Sequence, residues 1–234
     1  MNRENAKNRP EANKESEPLK PQTLDPKTVG GVAPSADQAI DMGLSVKWAP
    51  WNVGASKAEE CGAYFAWGEI NASKEIYNWN SSYLFFVYDE VNEKLFYSKY
   101  NGSVKNEILE SADDAATANW GCEWRMPTLA ELHELMNKDN CTWTWVENYN
   151  DSGINGYEVK SKKTDGLLFL PAAGYCGDSG LDDAGYYGYY WSSELHSGDA
   201  YNACHLYFHS IDRFSSYFSR GYGFSVRAVA VSAE

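Results

Sequence analysis

Hydrophobic and polar positions divide the chain into a polar head and an apolar body whose period changes along its length. Residues up to about Ala36 are rich in Lys, Glu, Asn and Pro and nearly free of large apolar side chains. Such a stretch cannot bury enough surface to offset its ordering entropy, so residues 1–38 are predicted to form a flexible tail or a docking arm for a scaffold partner. From Asp41 the character changes. LSVKWAPWNVG (Leu44 to Gly54) predicts a strand that breaks at its glycine, and CGAYFAWGE (Cys61 to Glu69) a second short strand. The stretch from Asn71 to Val104 is aromatic without a period and reads as a long loop with weak strands.

DDAATANWG (Asp113 to Gly121) predicts a short helix, acidic at its start and stopped by glycine. In RMPTLAELHELMNKDN, Thr128 and Glu131 have the spacing of a capping box, and Leu129, Leu132, Leu135 and Met136 form one apolar stripe. That predicts a helix ending near Asn137, with His133 off the stripe and solvated. Two β-prone runs flank Asn150–Asp151–Ser152–Gly153 and predict a hairpin. GLLFLPAAGY (Gly166 to Tyr175) is a continuous apolar run of strand length, read as the centre of the sheet. CGDSGLDDAG reads as a loop, and GYYGYYWSS, NACHLYFHS and GFSVRAVAV as further strands. Strands, two helices, then strands again, joined by long irregular loops, predict an α+β domain over residues 39–234 rather than a repeating βαβ pattern.

Charge and composition narrow the function. A net charge of −13 argues against a nucleic-acid partner held through phosphates. No apolar run is long enough for a membrane span, so membrane insertion is not expected. The polar N-terminus has no apolar region of the kind a secretory signal requires. The 17 tyrosines and 9 tryptophans suit a strand-rich fold and a contact surface, because tyrosine gives large amphipathic area at low entropic cost. Cys61, Cys122, Cys141, Cys176 and Cys204 show no CxxC or zinc-site spacing.

Several strings carry a resemblance: GLSVKWAPWNVGA, YFAWGE, DDAATANWG, WRMPTLAELHEL, CTWTW, LPAAGY, GYYWSS and GFSVRAV. Over roughly Ile40 to Val231 the chain resembles a family of Bacteroidetes surface and phage proteins with the C-type-lectin-like fold shared with formylglycine-generating enzymes. Its C-terminal end resembles the variable proteins of diversity-generating retroelements, in which adenine-directed mutagenesis rewrites chosen Asn codons around a fixed scaffold. The resemblance implies a ligand-binding domain with a variable segment at about residues 187–224. It implies as scaffold Trp191, Ser192, Ser193, Leu206, Phe208, Arg220, Gly223, Phe224, Ser225, Val226 and Arg227. An independent check agrees with it. Replacing adenines in an Asn codon never gives Lys, Glu, Gln, Met or Trp. These types number 47 in residues 1–194, about one in four, and none occurs among the 39 residues from Leu195 to Ala233.

Alternation in ACHLYFHS places Leu206 and Phe208 on one face of a strand and His205, Tyr207 and His209 on the other. With the apolar pair inward, the other three are expected to face solvent. The candidate binding set is His196, Asp199, Tyr201, His205, Tyr207, His209, Asp212, Arg213, Tyr217, Phe218 and Tyr222, which mixes aromatic anchors with small polar neighbours. His205 and His209 lie about 13 Å apart on an extended strand, too far to share one metal ion. Asp178, Asp182 and Asp183 form an acidic loop without a recognised calcium-lectin string, so neither metal nor cofactor is expected. No GxSxG, HExxH, P-loop or GxGxxG motif anchors an enzyme reading, and Cys176 and Cys204 sit in no string resembling the formylglycine-generating site. The function expected is non-catalytic recognition of a protein or glycan target, at a cell surface, outside the cell or on a phage particle. The alternatives are a structural subunit of a surface appendage and a carbohydrate-binding lectin-like domain without diversification.

Overall fold

The computed structural model describes residues 29–72, 83–89, 91–103 and 107–231. Most of the predicted tail, residues 1–28, lies outside the described residues, as do 73–82, 90 and 104 of the predicted long loop. In chain order the regular elements are β1 (Phe86–Asp89), β2 (Lys94–Tyr97), α1 (Ala115–Trp120), β3 (Trp124–Arg125), α2 (Leu129–Met136), β4 (Cys141–Val146) and β5 (Gly156–Ser161). They continue with β6 (Leu167–Pro171), β7 (Tyr175–Gly177), β8 (Gly180–Asp182), β9 (Tyr187–Leu195), β10 (Asn202–His209), β11 (Arg213–Ser219) and β12 (Val229–Ala230). The strands form small antiparallel sheets: β1 with β2, β3 with β12, β7 with β8, and two three-stranded sheets ordered β4–β5–β6 and β9–β10–β11.

The α+β expectation, strands arranged around two helices, is corrected by this architecture: the protein is mainly β. The helix signals are real but local. Asp114 caps α1 by accepting from the Ala116 and Thr117 amides, and Gly121 ends it after six residues. Thr128 and Glu131 close the capping box of the eight-residue α2, whose Leu132 and Leu135 are buried. At 3.6 residues per turn neither helix much exceeds two turns, and the remaining core is built from extended chain.

Three further expectations shift. The segments at 44–54 and 61–69 are irregular chain broken by bends and turns and make isolated bridges rather than ladders, Trp48 to Ile40 and Val229, and Phe65 to Phe224. The apolar run at 166–175 supplies β6, which is an edge strand and not the sheet centre. It reads as central because it is covered: Phe169, Leu170 and Leu168 are buried, and Arg227 Nη2 donates to the Phe169 carbonyl at 2.8 Å. The loop read at 176–185 contains the β7–β8 hairpin.

The folded body starts earlier than the change in polarity suggests. Val29 is buried, the Val32 amide donates to Ala55 O at 3.0 Å, and Trp51 Nε1 donates to Val32 O at 2.7 Å. The buried Trp124 indole donates to Pro34 O at 3.0 Å. Residues 29–38, assigned by polarity to the tail, are therefore a strap held by Val29 in the core and by backbone groups that pair with the Trp51 and Trp124 indoles and with Ala55.

The core has two clusters with β9 and β10 between them. Tyr189, Trp191 and Ala203 join Phe65, Trp67, Trp124, Phe224 and Val226 on one side. Tyr190, Leu206 and Phe208 join Trp48, Leu132, Leu135, Tyr157 and Leu168 on the other. Gly188 makes this sandwich possible, because a Cβ there would meet the Phe208 ring at 2.1 Å. Residues 223–228 thread between elements, with Val226 O accepting from Val53 N and Ala228 O from Ala49 N, each at 2.9 Å. Arg227 is 1% exposed and donates to Asn52 Oδ1, Ala49 O and Phe169 O. Burial lowers its pKa to about 10, which still leaves it charged at neutral pH.

Candidate functional site

Register fixes what each face of the β9–β10–β11 sheet presents. His205, Tyr207 and His209 of β10 lie opposite Trp191, Tyr189 and Tyr187 of β9, while His205 and Tyr207 lie opposite Ser216 and Phe214 of β11. The predicted period holds: Leu206 and Phe208 face the second cluster and are buried. The predicted exposure of His205 does not hold. It is 2% exposed, because the rings of Phe224, Trp191 and Phe218 stand 5.1, 5.7 and 6.3 Å from its own. Burial pushes the imidazole down to about 3, opposed by the nearby Ala203 carbonyl, and Nδ1 has no hydrogen-bond partner. His205 is a neutral core residue and is removed from the contact set. Alternation assigned it to the correct face, but both faces are covered at this height of the sheet.

Six of the other predicted residues gather at one end of the sheet. Tyr201, Tyr217, Phe218 and Tyr222, together with Asn202 and Ser219, line an open groove of about 440 Å³. His196 stacks on Tyr217 with ring centroids 4.0 Å apart. Asp199 accepts from Tyr201 N at 2.8 Å and Asn202 Nδ2 at 2.6 Å, which holds the turn that presents Tyr201. Tyr201 and Tyr217 are each 53% exposed, and Phe218 36%.

The remaining four lie toward the β10–β11 turn. Tyr207 is half-buried among Tyr189, Phe214 and Tyr187 at 5.2, 5.0 and 5.7 Å. His209 Nδ1 accepts from Ile211 N at 3.3 Å, and the exposed Asp212 accepts from Arg213 N at 2.8 Å. Arg213 turns to the opposite face, where its guanidinium covers the Trp143 ring at 4.8 Å and donates to Met136 O at 3.3 Å. It ties β11 to α2 and is not brought to the groove. His133, read as solvated, is exposed but meets Ser215 Oγ at 2.9 Å.

The groove and Tyr207 are joined by residues the sequence reading left out of the site: Tyr175, Tyr187, Tyr189 and Phe214. Tyr175 contacts Tyr222 at 5.8 Å and Tyr189 at 5.2 Å, and Phe218 contacts Tyr222 at 5.2 Å. The result is a continuous aromatic belt from the groove to the β10–β11 turn. The phase of GYYGYYW, which puts Tyr187, Tyr189 and Trp191 on one face, carried the signal for β9. Tyr175 carries none, because the apolar run GLLFLPAAGY places it at the end of a core strand, whereas it starts the β7–β8 hairpin. That hairpin also brings carboxylates to the belt: the Tyr189 hydroxyl donates to Asp183 at 3.0 Å.

Compared with family models, with curated proteins and with solved structures, the chain matches none. Its own geometry carries the functional reading. Every residue that the sequence resemblance implies as scaffold, from Trp191 to Arg227, is buried. All five cysteines are free, and burial raises Cys176 and Cys204 to about 11, so both are protonated thiols at neutral pH. Among the described residues no group of three or more His, Cys, Asp or Glu is placed to hold a metal ion. No described helix is long and apolar enough to cross a membrane.

Proposed function

We propose that the chain is a non-catalytic ligand-recognition domain of the receptor-binding or adhesin kind, which engages a protein or glycan target through the groove and the aromatic belt. The observation that carries the reading is the division within the final segment. Scaffold positions such as Trp191, Phe208, Phe224 and Arg227 are sealed in the core, while Tyr201, in the β9–β10 turn, and Tyr217 and Phe218, on β11, stand open beside them. Rigid aromatic side chains lose little rotamer freedom on contact and supply both apolar area and hydroxyl donors, which is how binding hot spots are built. The resemblance to variable proteins of diversity-generating retroelements, and the five residue types missing from residues 195–233, support a surface that changes while its frame stays fixed. On this reading the protein acts at a cell surface or on a phage particle.

The test is a selection against candidate protein and glycan surfaces, followed by an alanine scan of residues 195–222 with and without a chelator. Tyr201, Tyr217 and Phe218 are expected to dominate, the strongest of them lowering affinity by about thirtyfold or more, and the chelator is expected to leave binding intact. Binding that survives the whole scan would place recognition elsewhere on the domain. A reverse transcriptase gene and an adenine-rich near-copy of the segment beside this gene would separate a diversified surface from an appendage subunit or a fixed lectin-like domain.

A further inference from the structure

Carboxylates flank the groove and belt on two sides. Asp182 and Asp183 stand near enough to Tyr175, and Asp178 to Tyr222, to help burial hold those phenols protonated. Across the groove, Asp199 sits beside Tyr97 and Tyr201. Among the described residues none of the ion pairs involves these aspartates. Beyond Lys163 the lysines and arginines are Arg213, Arg220 and Arg227. Arg213 faces the other way over Trp143, and Arg227 is sealed in the core. Arg220 is 1% exposed, with its charge covered by the Tyr97 ring at 3.6 Å and its donors directed to the Tyr100 and Lys99 carbonyls.

From this arrangement we infer that the surface takes the lysine or arginine side chains of a basic polypeptide partner. The inference rests on the recognition reading above and names the chemistry of its target. Exposed faces of Tyr201, Tyr217 and Phe218 attract a cation through the ring quadrupole, and the neighbouring carboxylates supply the matching charge. The net charge of −13 steers a basic partner inward from a distance. Beneath the rings, His205 is neutral and adds no repulsion. A neutral glycan would also stack on tyrosine and donate hydroxyls to these carboxylates but would leave their negative charge unmatched, and an anionic one would be repelled.

The probe is a short peptide alternating arginine with glycine, compared with its glutamate and serine counterparts and with neutral oligosaccharides, by titration calorimetry at low and high salt. Three variants accompany the full chain: Phe218→Ala with Tyr222→Ala; Asp178→Asn with Asp182→Asn and Asp183→Asn; and a control that removes equal charge elsewhere, Glu123→Gln with Asp139→Asn and Glu147→Gln. The arginine peptide is expected to bind alone among the four probes. The first two variants should weaken it by about tenfold or more and the control by less than about threefold. Equal weakening by the control would reduce the effect to overall charge and overturn the inference. So would preference for serine peptide, glutamate peptide or oligosaccharide. If a target selected as above loses affinity on alanine scanning while the arginine peptide does not bind, the cation inference fails and the recognition surface stands. If neither responds, both fail.

Discussion

A neutral imidazole sealed among Trp191, Phe218 and Phe224 makes folding depend on pH. The unfolded His205 titrates near 6.5 and the folded one near 3, so between these values the unfolded chain binds the extra proton. Its share of stability is complete above about pH 6.5 and is lost as pH falls toward about 3. Denaturant melts of the native protein should therefore lose on the order of 1 kcal/mol per pH unit more than His205→Phe between pH 6 and pH 4. Parallel curves would show that the imidazole is solvated after all. Leu206, on the opposite face and 1% exposed, should lose about 2–5 kcal/mol on truncation to alanine. Both neighbours in sequence are thus core residues. Alternation in ACHLYFHS was sufficient to separate their faces but not to reveal that Phe224, arriving from nineteen residues downstream, covers the polar one.

At the scale of elements, what could be read early was what is encoded by neighbours. The capping box of Thr128 and Glu131, the Asp114 cap and the hairpin joining β4 to β5 depend on residues a few positions apart, and all were legible. What escaped depends on partners far away in sequence. The strap at 29–38 shows no apolar period because backbone carbonyls attach it. A chain starting at Asp37 loses Pro34 O and leaves the buried Trp124 indole N–H without its acceptor, at a cost of about 1–3 kcal/mol. Its melting temperature should fall by several degrees relative to a chain starting near Val29, as followed by circular dichroism; an unchanged value would return these residues to the tail. Gly188 is a second such position. Gly188→Ala drives a methyl into a Phe208 ring already held by Tyr157, Tyr190 and Trp145, and should destabilise by about 1–3 kcal/mol in the same melts.

Across the whole molecule, the periodic stretches pointed to an α+β fold because helices leave stronger local patterns than isolated bridges do. Trp48, Phe65 and residues 223–228 are extended chain that closes the core without long ladders, and this makes the protein mainly β. The candidate site was legible in outline. Tyr201, Tyr217, Phe218 and Tyr222 converge on one groove as aromatic richness suggested, whereas Arg213 and His205 serve the frame. On the proposed function, frame and recognition surface are separable. The most direct measurement pairs affinity for a selected target with the melting temperature of one variant, Tyr201→Ala with Tyr217→Ala and Phe218→Ala. Binding at least about thirtyfold weaker is expected, with a melting temperature within a few degrees of the native protein. Full affinity, or a collapse of the fold with these three half-open side chains, would contradict it.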